Sequence, residues 1–403
     1  MRQLACERNL GLTTQLTMTD LDALHREMTG WRRDLHRHPE FGFEETRTAA
    51  FVADRLRAFG LDEVVEGVGG TGVVATLRRG QSRRAVALRA DMDALRIEEQ
   101  GELAYKSETP GVMHACGHDG HTATLLGAAK LLAQRGGFDG TVRFVFQPAE
   151  EWGRGALAML ADGLMRRFPF DEIYGLHNMP GIAAGQFVVR PGAAMAAEDN
   201  FEIELRGVGG HSSRPHEIGE TLVAACALVM NLQTIVSRRL DPAATAVVSV
   251  TQLLTDGARN VLPGTAHILG DVRSFSAEVS VAVERQMRVI AEGVALAHGV
   301  TAQVAYSREF VALVNHAACT EEAAAAARDA LGAERVTMAP APIAASEDFA
   351  HFLAHVPGCF GFLGAGDCPA LHNPAYDFND AILIDGVRIF EAIVRRRLAR
   401  GSR

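Results

Sequence analysis

The stretch Gly111-Val-Met-His-Ala-Cys-Gly-His-Asp-Gly-His121 concentrates the chemistry of this chain. Its last eight residues include three imidazoles, a thiol and a carboxylate. The apolar spacing of residues 122–134, directly after it, predicts a helix. The polar cluster is therefore expected on a loop that opens a helix, where binding and catalytic residues are often placed. Cys116-x-His118 supplies only two close metal ligands, unlike a structural zinc finger, so further ligands must come from elsewhere in the chain.

Composition excludes several classes of protein. The chain has 403 residues, a formal net charge of −9 and no Lys/Arg-rich run, so nucleic acid is not expected as a partner. No apolar run is long enough to span a bilayer, and no membrane partner is expected. Residues 1–18 carry charge where a secretory signal needs an apolar run, and we expect a poorly ordered leader there. The six cysteines lie far apart, which favours reduced thiols and a cytoplasmic location.

Outward from the central stretch, strand and helix patterns alternate along the chain, which predicts an α/β layer with a mostly parallel central sheet. The predicted strands are 72–77, 84–90, 141–147, 172–176 and 359–363. Each of the last four leads into residues of the metal-ligand or acid-base type, namely Asp91 and Asp93, Glu150 and Glu151, His177, and His372. Ligands of open α/β sheets bind beyond the carboxyl ends of the strands, so these side chains are expected at one edge.

The pattern changes between residues 194 and 308. Strand, helix, two strands, helix and strand follow one another there, which is the order of a ferredoxin-like α+β unit. We interpret this segment as a second domain, inserted as a lid and dimerisation domain. Residues 19–193 and 309–403 then form the catalytic, metal-binding domain.

Thiolate, imidazole and carboxylate together suit a divalent transition ion better than magnesium or calcium, which prefer oxygen ligands. Zinc or manganese is expected, with cobalt or nickel as alternatives. A four-coordinate ion does not need all the candidate ligands, so two ions per subunit that share a ligand are predicted. Those candidates are Cys116, His118, Glu150 or Glu151, His177 and His372. Consecutive residues that leave a strand point in different directions, so one glutamate can bind metal while the other accepts a proton.

Seven stretches in this order resemble the bacterial and plant amidohydrolases typified by hippurate hydrolase and the indole-3-acetyl-amino-acid hydrolases. These enzymes belong to the larger aminoacylase and carboxypeptidase metallopeptidase family. The resemblance covers residues 30–390 and implies a zinc-peptidase-like catalytic domain interrupted by a ferredoxin-like lid that dimerises. The stretches are the central one quoted above, Leu88-Arg-Ala-Asp-Met-Asp-Ala-Leu95, Phe146-Gln-Pro-Ala-Glu-Glu151, Leu176-His-Asn-Met-Pro180, Gly209-Gly-His211, Asn260-Val-Leu-Pro263 and Leu371-His-Asn-Pro374.

The resemblance implies a role for each matching position. Glu150 becomes the general base, and Asp93 orients a ligand. His211, on the lid, stabilises the oxyanion in its own or a partner subunit's site. Asn260 and Arg273 hold the carboxylate of the substrate. The implied metal ligands are Cys116, which bridges, and His118, Glu151, His177 and His372.

The predicted function is hydrolysis of N-acyl amino acids by a metal-activated water, in a homodimer or tetramer assembled through the lid. A dipeptidase or carboxypeptidase could use the same metal site. Less favoured alternatives are a Cys116 nucleophile with His118 or His121 as base, and a non-catalytic binding protein. Arg96 and Trp152 depart from the pattern of the relatives, and both bear on the choice of acyl group.

Overall fold

The computed structural model of the protein describes residues 18–399. The predicted leader lies outside the described residues, apart from residue 18, where the first helix begins. The helices are α1 (Met18–Arg37), α2 (Thr46–Ala58), α3 (His118–Arg135), α4 (Gly155–Ala161), α5 (Leu164–Arg167), α6 (Thr221–Leu232), α7 (Ala277–His298), α8 (Ala317–Leu331), α9 (Ala350–Leu353) and α10 (Leu383–Arg397). The strands are β1 (Glu63–Val68), β2 (Gly72–Arg79), β3 (Ala85–Asp91), β4 (Gly140–Gln147), β5 (Glu172–Pro180), β6 (Phe187–Val189), β7 (Gly192–Met195), β8 (Ala197–Arg206), β9 (Gly210–His211), β10 (Ala246–Thr255), β11 (Val261–Leu262), β12 (Thr265–Ser274), β13 (Thr301–Phe310), β14 (Leu313–Asn315), β15 (Val336–Met338) and β16 (Gly358–Gly366).

The chain forms two compact units. Of the described residues, the first contains 18–189, Ala318–Met338 and 358–399. The second contains Arg190–Ala317 and Ala339–Pro357. Residues 339–357 therefore group with the second unit, whereas the sequence analysis assigned all of 309–403 to the catalytic domain. The reason is pairing, since Ile343 bridges to Met195 of the second unit.

The first unit is built on an eight-stranded sheet in the order β1-β2-β4-β3-β5-β16-β6-β15. Its central strands β4, β3, β5 and β16 are parallel neighbours, and β6 pairs in parallel with β15. Every residue of β3 is buried, as expected for a strand covered on both faces. The predicted α/β layer with a mostly parallel central sheet is confirmed.

Helix α3 places the polar stretch against this sheet. It contacts β3 and is covered in turn by α1 and α10. Almost all of its residues are buried, so its sequence is apolar on most sides rather than along one stripe. The first turn of α3 is thereby held in the interior of the first unit.

The second unit contains an antiparallel sheet in the order β10-β12-β8-β13, with α6 and α7 packed on it. Chain order and sheet order together are those of a ferredoxin-like unit, as predicted. From the sequence, the first helix of this unit is predicted as one continuous helix over residues 217–240. That prediction was wrong, because the segment forms three pieces. These are a 3-10 turn at Pro215–Glu217, helix α6 and a π-helical turn at Ile235–Arg239. Gly219, a poor helix former, lies between the first two pieces against the backbone of Gly299.

Within residues 18–399, no helix is long and apolar enough to cross a bilayer.

Candidate metal centre

The carboxyl ends of the central parallel strands bring the predicted ligands together in the first unit. Asp93 follows β3, and Glu150 and Glu151 follow β4. His177 lies within β5, and His372 lies in the segment after β16. Cys116 and His118 reach the same place from the start of α3. The predicted ligands from the strands and from α3 therefore meet at the edge of the sheet at which open α/β folds bind ligands.

Among the described residues, several groups of candidate ligand atoms form, and two of them share Cys116. In the first, one ligand atom from each of Cys116, His118 and His177 lies within 4.8 Å of the others. In the second, the same holds for Cys116, Glu151 and His372. Because Cys116 is common to both groups, the arrangement is that expected for two cations that share a thiolate ligand.

Hydrogen bonds orient the two buried imidazoles toward the centre. Nδ1 of His118 lies 3.0 Å from the Asp93 carbonyl oxygen and 3.1 Å from its Oδ1, which turns Nε2 toward Glu150 and Glu151 at 3.9 and 3.8 Å. Nδ1 of His177 donates to the Asn178 carbonyl oxygen at 2.6 Å, and its Nε2 lies 3.4 Å from the Cys116 Sγ. Metal-binding histidines are usually fixed in this way through the nitrogen that does not bind metal.

Asp93 also contacts the segment that contains Glu150 and Glu151. Its Oδ2 accepts the backbone N–H of Glu151 at 3.0 Å, while its Oδ1 faces His118. One buried carboxylate thus fixes ligands from α3 and from the end of β4. The role expected for Asp93, orientation of a ligand, is compatible with these contacts.

Two buried polar atoms in the centre fit a bound cation. Nε2 of His118 and Oε1 of Glu151 lie 3.8 Å apart and have no hydrogen-bond partner among the described residues. An unsatisfied buried polar atom is costly, so such atoms call for a ligand or an ion. A divalent cation between them would satisfy both, and the sulfur, nitrogen and oxygen donors suit a transition ion.

Electrostatics support the same conclusion. Burial and the nearby carboxylates of Glu151 and Glu150 raise the pKa of the Cys116 thiol well above its usual value. Burial lowers the pKa of His118, but the carboxylates of Asp91 and Asp93 outweigh it and raise that pKa to about 10. The cluster therefore has an excess of acidic groups that positive charge would stabilise. A thiol with a raised pKa lacks the activation that a cysteine nucleophile needs, which disfavours the Cys116 nucleophile alternative.

Unusual backbone conformations flank the centre. Gly117 has φ +94°, and a side chain there would overlap the amide of Asn178. Ala149, directly before Glu150, has φ +48°, and His372 has φ +64°. Non-glycine residues in this region store strain that the surrounding structure must hold, and such residues cluster at functional sites.

A second buried network, which includes Asp91 and His121, lies beside the ligands. Asp91 contacts Nδ1 of His121 at 2.6 Å and accepts a hydrogen bond from Arg89 at 2.6 Å. Nε2 of His121 lies 2.6 Å from Oδ1 of Asn178, whose Nδ2 donates to the Tyr376 hydroxyl at 2.6 Å. The sequence signal was proximity, since each member lies within five residues of a predicted ligand or of Asp93.

The two departures from the family pattern meet in the first unit. The guanidinium of Arg96 lies 4.1 Å from the centre of the Phe41 ring, which packs edge-on against Trp152 at 4.7 Å. Trp152 is 44% exposed and directly follows Glu151. The chain therefore presents an aromatic surface next to the predicted ligand.

The remaining predicted residues belong to the second unit. His211 and Asn260 are neighbours there, because His211 pairs with Val261 between β9 and β11. The donors of Arg273 are used within the unit, by Asp271 at 2.8 Å, Glu198 at 2.6 Å and Ser346 at 2.9 Å. A substrate carboxylate would have to compete with two acidic side chains for this arginine. The roles expected for these three residues stay predictions.

Comparison with known proteins gives consistent matches. Residues 87–396 match the model of peptidase family M20/M25/M40. Hippurate hydrolase of Campylobacter jejuni is 40% identical over 360 residues, 89% of this chain and 94% of the relative. N-acyl-L-amino acid amidohydrolase of Geobacillus stearothermophilus is 41% identical over 298 residues, 73% of this chain and 80% of the relative. The crystal structure of a dinuclear metal-binding M20 peptidase of Bacillus subtilis is 33% identical, with a TM-score of 0.82 over 94% of this chain and 99% of that one.

Proposed function

The chain belongs to peptidase family M20/M25/M40, and from this membership we propose its reaction: it is a metal-dependent amidohydrolase that cleaves N-acyl amino acids. The resemblance inferred from the seven motifs is thereby confirmed. The observation that carries the reaction is the pair of ligand groups that share Cys116, with Glu150 beside them. The products are a carboxylate and a free amino acid.

The ligand atoms fit two divalent ions per subunit. Cys116, His118 and His177 would hold one, and Cys116, Glu151 and His372 the other. We propose zinc or manganese, with cobalt or nickel as alternatives, because all four accept mixed sulfur, nitrogen and oxygen ligands. When bound, the ions polarise the amide carbonyl and lower the pKa of water.

Glu150 is the proposed general base and acid. Its side chain is buried, and its Oε2 lies 3.9 Å from Nε2 of His118. Glu150 takes a proton from the water whose oxygen attacks the amide carbon, and returns it to the nitrogen as the C–N bond breaks. Glu151 is assigned to metal binding and not to proton transfer, because Asp93 binds its backbone N–H and its side chain contacts His372 at 3.4 Å.

His211 is the proposed oxyanion donor. Its Nδ1 accepts from the backbone N–H and hydroxyl of Ser213, at 3.2 and 2.8 Å. The ring proton of the neutral tautomer is then on Nε2, which suits donation to a developing oxyanion. Asn260 and Arg273 are proposed to hold the substrate carboxylate, which the planar donors of an arginine can grip through both oxygens.

A hydrolysis screen tests this function. Protein stripped with a chelator and reloaded with zinc or manganese would be assayed on N-acetyl, N-benzoyl and N-indoleacetyl amino acids and on dipeptides. We expect turnover only with metal, preference for acyl amino acids over dipeptides, and a loss of at least ~100-fold in kcat in Glu150→Gln.

The metal content of Glu150→Gln serves as its control and should equal that of the wild type. Wild-type turnover in this variant would remove Glu150 as base. Absence of turnover on every substrate with either metal would contradict the proposed reaction and favour the alternative of a non-catalytic binding protein.

We also propose that the second unit mediates a homodimer. Helix α6 contains no charged residue, and its Leu222, Val223 and Met230 are exposed. Strand β10, at the edge of the four-stranded sheet, exposes Val247 and Leu254. An exposed edge strand beside an apolar helix is typical of a surface covered by another chain. A tetramer would need a further surface.

The cytoplasm is the proposed location. Five cysteines within the described residues are free thiols, which fits a reducing compartment. Cell fractionation that finds the protein among oxidised, exported proteins would contradict it.

A further inference from the structure

Helix α1 carries a buried arginine that reaches across the first unit. The side chain of Arg32 has no exposed surface. Its Nη1 lies 3.6 Å from Oδ2 of Asp119 and 3.0 Å from Oδ1 of Asp377, and its Nε donates to Oδ1 of Asp380 at 2.7 Å. The guanidinium also lies 4.5 Å from the centre of the Tyr105 ring. One cation thus joins three carboxylates from two segments that are far apart in the sequence.

These carboxylates lie on two segments that carry predicted metal ligands. One segment carries Cys116 and His118, and the other carries His372. Asp119 directly follows His118 in the first turn of α3. Asp377 and Asp380 lie on the segment that leads from His372 to α10. Arg32 therefore fixes the segment of Cys116 and His118 relative to the segment of His372.

The His372 segment needs such support. His372 is the most exposed of the predicted ligands, with 53% of its side chain accessible, and its backbone is in the strained left-handed region. At the near end, its backbone N–H donates to the Ala115 carbonyl oxygen at 2.8 Å. At the far end, Asp377 is held by Arg32 and by the Tyr105 hydroxyl, which donates at 2.7 Å.

We propose that Arg32 is a positioning residue of the metal centre, which holds the His372 segment at the distance from Cys116 at which the second cation binds. This inference rests on the proposed ligand set and not on the identity of the substrate. A ligand held in place before metal arrives loses less freedom on binding, so release of the segment weakens that cation selectively. Loss of an outer contact of this kind typically lowers metal affinity by ~10–100-fold.

The neighbouring Arg33 offers a matched control. It pairs with the same Asp380 at 2.9 Å and lies 4.6 Å from the centre of the same Tyr105 ring. It is 46% exposed, and among the described residues it makes no ion pair with Asp119 or Asp377. A general effect of weakening α1 would appear in both arginine variants, whereas a positioning effect would appear only for Arg32.

The test is metal titration of chelator-stripped protein. Stoichiometry and affinity for zinc would be measured by competition with a chromophoric chelator, and the ligand field by cobalt absorption. Arg33→Met should bind two ions, each with the same affinity as in the wild type. Arg32→Met should bind the first ion normally and the second ~10–100-fold more weakly, with an altered cobalt spectrum, and Arg32→Lys should lie between them.

A second variant covers failure of Arg32→Met to fold. Asp377→Ala removes one of the two ion pairs that join Arg32 to the His372 segment, at a residue that is 31% exposed, and leaves the pair with Asp380 at 2.7 Å. Asp119 also stays in contact with Arg32 and, at 2.9 Å, with His36. The variant should show the same selective loss of the second ion, smaller than in Arg32→Met. Two ions bound with wild-type affinity in folded Asp377→Ala would overturn the positioning role alone. A wild type that takes up no second ion would overturn the two-ion function and this inference together.

Discussion

Adjacent residues in the metal centre have different tasks because their backbones are held differently. Asp93 fixes the N–H of Glu151, and the carboxylate of Glu45 accepts the N–H of Ala149 at 2.8 Å. Two buried acids therefore clamp the strained turn that contains Glu150. The sequence analysis assigned no site role to Glu45.

Glu45 should make stability depend on pH. Burial and the neighbouring Asp93 raise its pKa to about 7, against hydrogen bonds from Thr71 and Ala149 that lower it. A carboxyl with a raised pKa binds its proton more tightly in the folded state, so the folded state loses stability as pH rises from the unfolded pKa to 7. The loss corresponds to about 3 kcal/mol in the free energy of unfolding, at about 1.4 kcal/mol per pH unit.

Glu45→Gln should lack this loss. Urea unfolding at fixed metal content, from pH 4.5 to 8, would measure the difference between variant and wild type. We expect the free energy of unfolding of Glu45→Gln, relative to that of the wild type, to increase by about 3 kcal/mol as pH rises. Glu44→Gln, at the exposed neighbouring position, is the control. A difference between Glu45→Gln and wild type that stays constant across this range would contradict the prediction.

At the scale of elements, α3 connects the sheet to the metal centre. The helix begins at a ligand, His118, and the residue before it must turn sharply without a side chain. The segment around Gly117 is closed from the other side by Asn178 and Tyr376. The start of this helix is therefore fixed by close packing as well as by its own hydrogen bonds.

Gly117→Ala should destabilise the protein for two separable reasons. The left-handed backbone costs a residue with a side chain about 1–2 kcal/mol, and overlap with Asn178 adds about 1–3 kcal/mol. Gly60→Ala is the control, since Gly60 also has a positive φ of 77° but has open space around it. Urea unfolding of both variants should show the larger loss for Gly117→Ala. Equal losses would show that packing at the start of α3 contributes nothing.

At the scale of the whole molecule, the proposed dimer makes one further prediction. Met230→Glu and Leu254→Glu place a charge on the apolar surface of α6 and β10, and burial of that charge in an interface would be costly. Sedimentation velocity should show a dimer for the wild type and a monomer for both variants. Leu296→Glu on α7, at a residue that is 84% exposed, is the control and should stay a dimer. A wild type that sediments as a monomer would contradict the proposal.

The sequence by itself determined the order of elements and the chemistry of the site. Buried strands such as β3 begin with an apolar run, here residues 85–88, so local pattern predicts them. Ligand-type residues at the ends of four strands predicted one site, because parallel strands share an edge. The motifs gave the family. These conclusions depend on residues near each other in the chain and on general rules of sheet topology.

Only the tertiary structure decided which side chains meet. Arg32 joins Asp377 and Asp380 across more than 340 residues, and Asn178 meets Tyr376 across 198. The two groups of ligand atoms that share Cys116, and the left-handed backbone of Ala149 and His372, likewise became visible only in three dimensions. The physical reason is that such contacts are set by how distant segments pack, whereas hydrophobic periodicity reports only which face of each segment is buried.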